Sequence, residues 1–307
     1  RRVNVNIAAT TVEEYRMHKE AKIGTYILFQ ETYHRPTYRL MHPAGPKSDY
    51  DWHATAMDRA MEGGIDDVGL GVLFGLYDYK FEVLGLLMHS LHLEEKFGVG
   101  CHTISVPRLR PATGISLDNF PYLVPDEDFK KLVAVLRLAV PYTGMILSTR
   151  ERAEFRDELF HIGISQISAG SCTGVGGYRR DDVSGEEDGK EDTSQFQVED
   201  HRSPDEVIRS ICESGYIPSY CTACYRKGRT GDRFMALAKT GQIQNVCQPN
   251  AILTFKEYLE DYASPETKRA GERAIKEHLN YITSEAVRRQ TEERLKLIEE
   301  GVRDLYF

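Results

Sequence analysis

The chain is 307 residues long, with 41% hydrophobic and 28% charged residues and a formal net charge of -8. That length can bury a large core and suits one large domain with an appendage, or two domains. The acidic balance argues against a nucleic-acid binder, which needs clustered Lys and Arg, and no apolar run reaches the roughly eighteen residues needed to span a bilayer.

Residues 3–8 open the chain as an apolar run that reads as a buried parallel strand. No initiator methionine, helix or cap precedes it, so the sequence is expected to be a fragment that starts in the middle of a domain. A helix is predicted over 11–21, with Thr11 as cap and Glu14 three residues on as a capping box. Further strands are predicted over 25–30, 67–73, 102–106, 144–148 and 165–168, and further helices over 50–62, 79–97, 126–139 and 151–159. Six βα units with polar or charged residues just past the strand ends (Glu31, Arg108, Arg150, Ser171) predict an α/β fold of the (β/α)8 TIM type, with about six of eight units present. No glycine-rich phosphate loop follows the first strand, which weighs against a doubly wound sheet.

This barrel portion is expected to end near residue 177. Residues 178–200 are strongly charged and nearly devoid of apolar side chains, as expected of a mobile acidic surface loop. Residues 201–307 are expected to form a mainly helical domain. It starts at Ser203-Pro204-Asp205-Glu206, a cap with Pro in the first turn and acids against the dipole, leading to a helix over 207–214. Helical patterns follow over 255–262, 266–281 and 284–306.

Six cysteines are present, at 101, 172, 212, 221, 224 and 247. They are scattered or spaced for metal, and no signal peptide is seen, so reduced thiols in the cytoplasm are expected. Cys221-Thr222-Ala223-Cys224 is followed after twenty-two residues by Cys247. Three thiolates so spaced can hold an iron-sulfur cluster and leave one iron without a cysteine. A structural zinc site normally closes with four ligands, and Cys247 has no second short-spaced partner, so a cluster is favoured over an incomplete zinc ribbon.

Arg226, Arg229 and Arg233 lie close in sequence to these thiolates, where cations would offset the charge of a cluster. Pairing with Asp232 and the acidic helices is the plain alternative. His102 starts a strand; such a histidine is usually structural, and it becomes a ligand candidate only if it faces the cluster. Glu31 ends a strand where a carboxylate can bind the two hydroxyls of a ribose, or form a loop salt bridge. Gly69, Gly71 and Gly75 let a strand approach a flat ligand closely. Arg150 and Ser168 end adjacent strands, a guanidinium and a hydroxyl that suit a substrate carboxylate. No Ser/His/Asp array, P-loop or HExxH is present.

Together FQETYHRPTY, GLGVLFGLYDY, HTISVPRLRPA, ILSTRE, ISAGS and CTACYRKGRTGDRFM with Cys247 resemble the FeFe-hydrogenase maturase that is a radical-SAM tyrosine lyase. The barrel half is also similar to the tyrosine lyase of thiazole biosynthesis (2-iminoacetate synthase) and, more distantly, to biotin synthase. The three-cysteine motif separates the maturase from both. The resemblance implies a radical SAM barrel with two 4Fe-4S clusters at opposite ends. A CxxxCxxC-bound cluster cleaves S-adenosylmethionine, the radical splits L-tyrosine to p-cresol and dehydroglycine, and carbon monoxide and cyanide then form. These are captured at the auxiliary cluster with its additional iron, as an Fe(CO)2(CN)-cysteine precursor.

On this sequence the resemblance implies Cys221, Cys224 and Cys247 as auxiliary-cluster ligands and His102 as ligand to the additional iron. It implies Glu31, Gly71 and Gly75 as S-adenosylmethionine contacts and Arg150 and Ser168 as contacts to the tyrosine carboxylate. The partners implied are cysteine, iron, other hydrogenase maturation proteins and an electron donor. No CxxxCxxC occurs in the sequence, so ligands for the radical-generating cluster are missing and this chain alone is expected to be inactive in S-adenosylmethionine cleavage. A non-catalytic iron- or zinc-binding module is the reading from another class.

Overall fold

The computed structural model describes residues 3–112, 116–174 and 196–307. They divide into two compact units, Val3–His201 and Arg202–Phe307.

The first unit is built on five parallel strands: β1 (Tyr26–Ile27), β2 (Val68–Gly71), β3 (Thr103–Ser105), β4 (Gly144–Leu147) and β5 (Gln166–Ile167), in the spatial order β1-β2-β3-β4-β5. Gly69 pairs with both Ile27 and Thr103, and Thr103 with Gly144. Ile146 pairs with Gln166. The helices are α1 (Val12–Glu20), α2 (Arg35–Met41), α3 (Tyr50–Ala54), α4 (Ala56–Glu62), α5 (Tyr79–Phe97), α6 (Asp126–Ala139) and α7 (Ala153–Phe160).

Alternation along the strands sends Tyr26, Leu28, Val68, Leu70, Val72, Ile104, Val106, Met145 and Leu147 to one face. There they share a buried core with Tyr15, Met57, Leu86, Leu93, Phe129, Leu132 and Phe155 from the helices. A sequential strand order with its helices on one face is the wall of a rolled barrel, whereas a doubly wound sheet reverses order and places helices on both faces. The opposite face mixes small and polar residues, such as Gly69, Thr103 and Ser105, with Ile27, Phe29 and Ile146. A side chain on Gly69 would meet Thr103 and Ile27, one on Gly71 would meet Phe29, and one on Gly144 would meet Gln166 and Thr103.

Residues 3–8 differ from expectation. Val5 alone bridges to Tyr26, held by Val5 N donating to Thr25 O at 3.0 Å and Ile27 N to Val5 O at 2.9 Å. Val3 is 71% exposed, and among the described residues this run makes that one bridge. The helix predicted over 50–62 is two, broken at Thr55. The capping box of α1 is present.

The second unit holds α8 (Pro204–Glu213), α9 (Ala223–Arg226), α10 (Gly231–Lys239), α11 (Gln244–Asp261), α12 (Pro265–Leu279) and α13 (Glu285–Glu299). Ile208, Cys212, Ile252, Phe255, Leu259, Ala274 and Ile275 form its core. Gly271 of α12 lets Phe255 and Leu259 of α11 approach closely, since a side chain there would fall within 3 Å of both. The last helix is shorter than predicted: α13 stops at Glu299, and Asp304 adopts a left-handed φ of 67° in the non-helical tail. Most of the predicted acidic loop, residues 178–195, lies outside the described residues.

Candidate substrate and cluster sites

The C-terminal edge of the sheet gathers Glu31, Gly75, Arg150 and Ser168, past β1, β2, β4 and β5 respectively. Glu31 sits at φ 68°, a left-handed conformation costly for a residue with a Cβ. Two features hold it there. Its backbone bridges to Val72, with Leu73 N donating to Glu31 O at 2.9 Å, and Lys47 Nζ reaches its carboxylate at 2.6 Å. The turn that follows is pinned by the fully buried Glu82, which accepts from Thr32 Oγ1 and from Tyr33 N. Burial pushes the Glu82 carboxyl up, against the lowering effect of Thr32 and the Tyr33 and His34 amides.

Arg150 is desolvated, which pulls it down to about 10, opposed by Glu31 and Glu151; it remains charged at neutral pH. Among the described residues it forms no ion pair, and its Nε has no hydrogen-bond partner. Its guanidinium carbon lies 3.8 Å from the centre of the Phe196 ring. Arg108, by contrast, is fully engaged, with Glu151 at 2.5 Å, Asp126 at 2.6 Å and Val124 O at 2.8 Å. Of the two arginines past neighbouring strands, Arg150 is the one with donors unclaimed among the described residues. Ser168 lies beside it in strand order, with N donating to Leu147 O at 3.1 Å and O accepting from Arg156.

Gly75 needs to be glycine, having φ 118° and a hypothetical Cβ only 3.0 Å from Leu109. Gly71 is glycine for a different reason: the ring of Phe29 occupies the space beside it, at 2.7 Å from a hypothetical Cβ. A flat ligand along β2 therefore meets Phe29 at that level. His102 stands at the other edge of the sheet. Its N donates to Val68 O at 2.8 Å, and its Nδ1 lies 3.6 Å from the Asp67 carboxylate.

In the second unit Cys221 precedes the single turn of α9, Cys224 lies on it, and Cys247 lies in the first turn of α11. Cys247 is pushed up, first by a hydrogen bond with Cys224, then by burial and by the charges of Cys224 and Cys221; Arg229 opposes this. Cys221 is pushed up by burial, against the Ala223 N–H at 3.3 Å from its sulfur and the charges of Arg229 and Arg226. Cys221 and Cys247, which resist ionising, are poor free thiolates, and thiolates of this kind are held by a strongly positive metal group. No group of three or more His, Cys, Asp or Glu side chains among the described residues is arranged for a single ion. Cysteine thiolates are the donors that an iron-sulfur cluster takes, so the donor set fits such a group in kind.

The neighbouring arginines divide their roles. Arg226 forms a two-pronged pair with Asp304 at 2.5 and 2.7 Å and lies over Tyr306. Arg229 donates to Phe307 O at 3.2 Å while its charge reaches Cys221 and Cys247. Cys101 and Cys212 are buried and pushed up to about 11 and about 12 by burial, which suits packing and not reactivity.

Sequence reasoning missed Lys47, Glu82, Arg156 and Phe196. The charged loop pattern concealed Phe196, and no local signal marks the others.

Comparison with known proteins adds the following. Residues 105–217 match the Biotin and Thiamin Synthesis associated domain. The 2-iminoacetate synthase of Escherichia coli (strain K12) is 33% identical over 207 residues, 67% of this chain and 52% of that protein. A crystal structure of HydG, a maturase of the FeFe-hydrogenase, is 68% identical with a TM-score of 0.94, over 100% of this chain and 65% of that one. HydG from Carboxydothermus hydrogenoformans is 43% identical with a TM-score of 0.79, over 96% of this chain and 62% of that one. The chain thus spans about half the length of the curated relative and about two thirds of these maturase chains.

Proposed function

We propose that this chain, which belongs with the FeFe-hydrogenase maturases and the 2-iminoacetate synthases, forms most of the barrel and the auxiliary-cluster unit of a radical S-adenosylmethionine tyrosine lyase. Its products are p-cresol and dehydroglycine, then carbon monoxide and cyanide, which are delivered to iron as the Fe(CO)2(CN)-cysteine precursor of the hydrogenase cofactor. What supports this reading beyond the synthases is the spacing of Cys221, Cys224 and Cys247, with the Cys247 thiol hydrogen-bonded to Cys224.

Cys221, Cys224 and Cys247 hold the auxiliary cluster, with His102 the ligand to its additional iron. Glu31 binds the ribose of S-adenosylmethionine, and Lys47 fixes that carboxylate in the absence of the nucleoside. The strand of Gly71 and Gly75 would border the adenine at Gly75, with the Phe29 ring filling the space beside Gly71. Arg150 and Ser168 receive the carboxylate of tyrosine, and the unclaimed donors of Arg150 set the orientation of the amino acid. When bound, the two groups supply a 5'-deoxyadenosyl radical for hydrogen abstraction and iron for the capture of the diatomic products. The radical-generating cluster has no ligand set in this sequence, which lacks CxxxCxxC, and no residue here is assigned to it.

Cysteine and iron are co-substrates, and other hydrogenase maturation proteins and an electron donor are the partners. The six cysteines, scattered or spaced for metal, suit a reducing cytoplasm. No helix among the described residues is long and apolar enough to cross a membrane.

Replacing Cys221 and Cys224 with Ala in the full-length enzyme tests the reading. Iron-bound carbon monoxide and cyanide should disappear while p-cresol release continues. Continued formation of iron carbonyl would remove the triad from the reaction, and a wild-type enzyme that stops at dehydroglycine would return the protein to the thiazole-type lyases.

A further inference from the structure

Residues 196–200 form a strap across three strand ends. Thr173 Oγ1 donates to Phe196 O at 3.1 Å, beyond β5. Gln197 N donates to Pro111 O at 3.1 Å, beyond β3. Glu199 N and Asp200 N converge on Thr149 O, at the end of β4, at 2.9 and 3.2 Å. The strap is then locked by an ion pair between Asp200 and Arg156, whose side chains are both 0% exposed. Arg156 uses its other terminal nitrogen to donate to Ser168 O. One buried arginine therefore fixes both the strap and the end of β5.

The strap brings the Phe196 ring to 3.8 Å from the Arg150 guanidinium carbon. A ring on the face of a guanidinium stabilises the charge and restricts its rotation but uses none of its N–H donors. A carboxylate partner in the same place would consume those donors, as Glu151 and Asp126 do for Arg108.

We propose that Phe196 is a positioning residue for the tyrosine carboxylate: it orients and dehydrates Arg150 so that the guanidinium edge, unpaired among the described residues, is presented to a planar anion. Asp200 and Arg156 position Phe196 in turn. This inference rests on the reading of Arg150 as the carboxylate receptor.

The test is equilibrium binding of L-tyrosine and of tyramine, which lacks the carboxylate, to reconstituted full-length enzyme with S-adenosylmethionine, alongside thermal unfolding. Phe196→Leu keeps an apolar side chain and removes the ring. It should weaken L-tyrosine by about 2- to 30-fold, the range of a cation–π contact, while tyramine affinity and the unfolding temperature hold. Phe196→Tyr should restore wild-type affinity. Arg150→Lys separates the two claims. If it weakens L-tyrosine but Phe196→Leu does not, or if Phe196→Tyr fails to rescue, the role of Phe196 is overturned and the Arg150 reading stands. If the wild type and Arg150→Lys treat L-tyrosine and tyramine alike, the carboxylate reading falls and the inference with it.

Discussion

The two units place their functional side chains by different means. In Val3–His201 the candidate residues sit at strand ends, so their positions follow from parallel register and a few backbone contacts, such as Glu31 O accepting from Leu73 N. In Arg202–Phe307 no strand is present among the described residues, and the cysteines sit on a single helical turn and a helix start. There long-range side-chain contacts do the positioning, with the tail residues Asp304 and Phe307 engaging Arg226 and Arg229. A sheet edge tolerates changes of side chain that leave the ladder intact, whereas a helical unit of this kind depends on particular side chains.

The largest expected effect on stability breaks the exception in the first unit. Arg156→Leu leaves Asp200 buried without its cation and frees the end of β5, and should cost about 3–5 kcal/mol. Urea unfolding with an unchanged m value measures it, and a loss below about 1 kcal/mol would mean that the strap is not held by this pair.

In the second unit the comparable hub is Lys256, whose side chain is 4% exposed and reaches Glu272 at 2.6 Å, Glu299 at 2.8 Å and Glu260 at 2.9 Å. Burial alone would lower Lys256, but the three carboxylates hold it above its ordinary range. Lys256→Met leaves three partly exposed acids facing one another across α11, α12 and α13, and should cost about 2 kcal/mol after allowance for solvent screening. Raised salt should recover part of that loss, and indifference to salt would show that packing and not charge is responsible.

The smallest effect is one of pH. Burial pulls His89 of α5 down to about 4, and its Nδ1 lies 2.9 Å from Tyr33 Oη. An unfolded histidine titrates at about 6.5, so between pH 6.5 and 4 the unfolded chain binds a proton that the folded one refuses. Stability should therefore fall on acidification through that window, by about 1–2 kcal/mol between pH 7 and pH 5. His89→Gln should flatten this part of the profile, and an unchanged slope would assign the acid sensitivity to other groups.

The parallel strands were legible because strands packed under helices read as apolar runs, and β2, β3 and β4 all fall inside their predicted spans. Residues 3–8 show one bridge, at Val5, where a strand was expected. The α2 segment was missed because Pro36 reads as a breaker, although proline is accommodated in a first helical turn. The first half of α11 was hidden by polar residues and by Pro249, so Cys247 was not placed on a helix.

Legibility of the candidate sites divides the same way. Glu31, Arg150 and Ser168 could be named because a residue just past a barrel strand occupies a known edge. Phe196 and Arg156 could not, because their roles come from a strap returning some thirty residues after β5, where local charge density suggests nothing ordered. Gly71 was read as room for a ligand, and the structure shows its space taken by Phe29, a contact between neighbouring strands that spacing along one strand does not reveal.

The central claim is that Cys221, Cys224 and Cys247 hold an iron-sulfur cluster, and the most direct test is iron, zinc and acid-labile sulfide per chain after anaerobic reconstitution, with intact mass on the same sample. The account predicts about four or five irons per chain with matching sulfide for a single auxiliary cluster, lost when the three cysteines are replaced. A colourless protein carrying zinc alone would contradict it and move the weight to a non-catalytic metal-binding module.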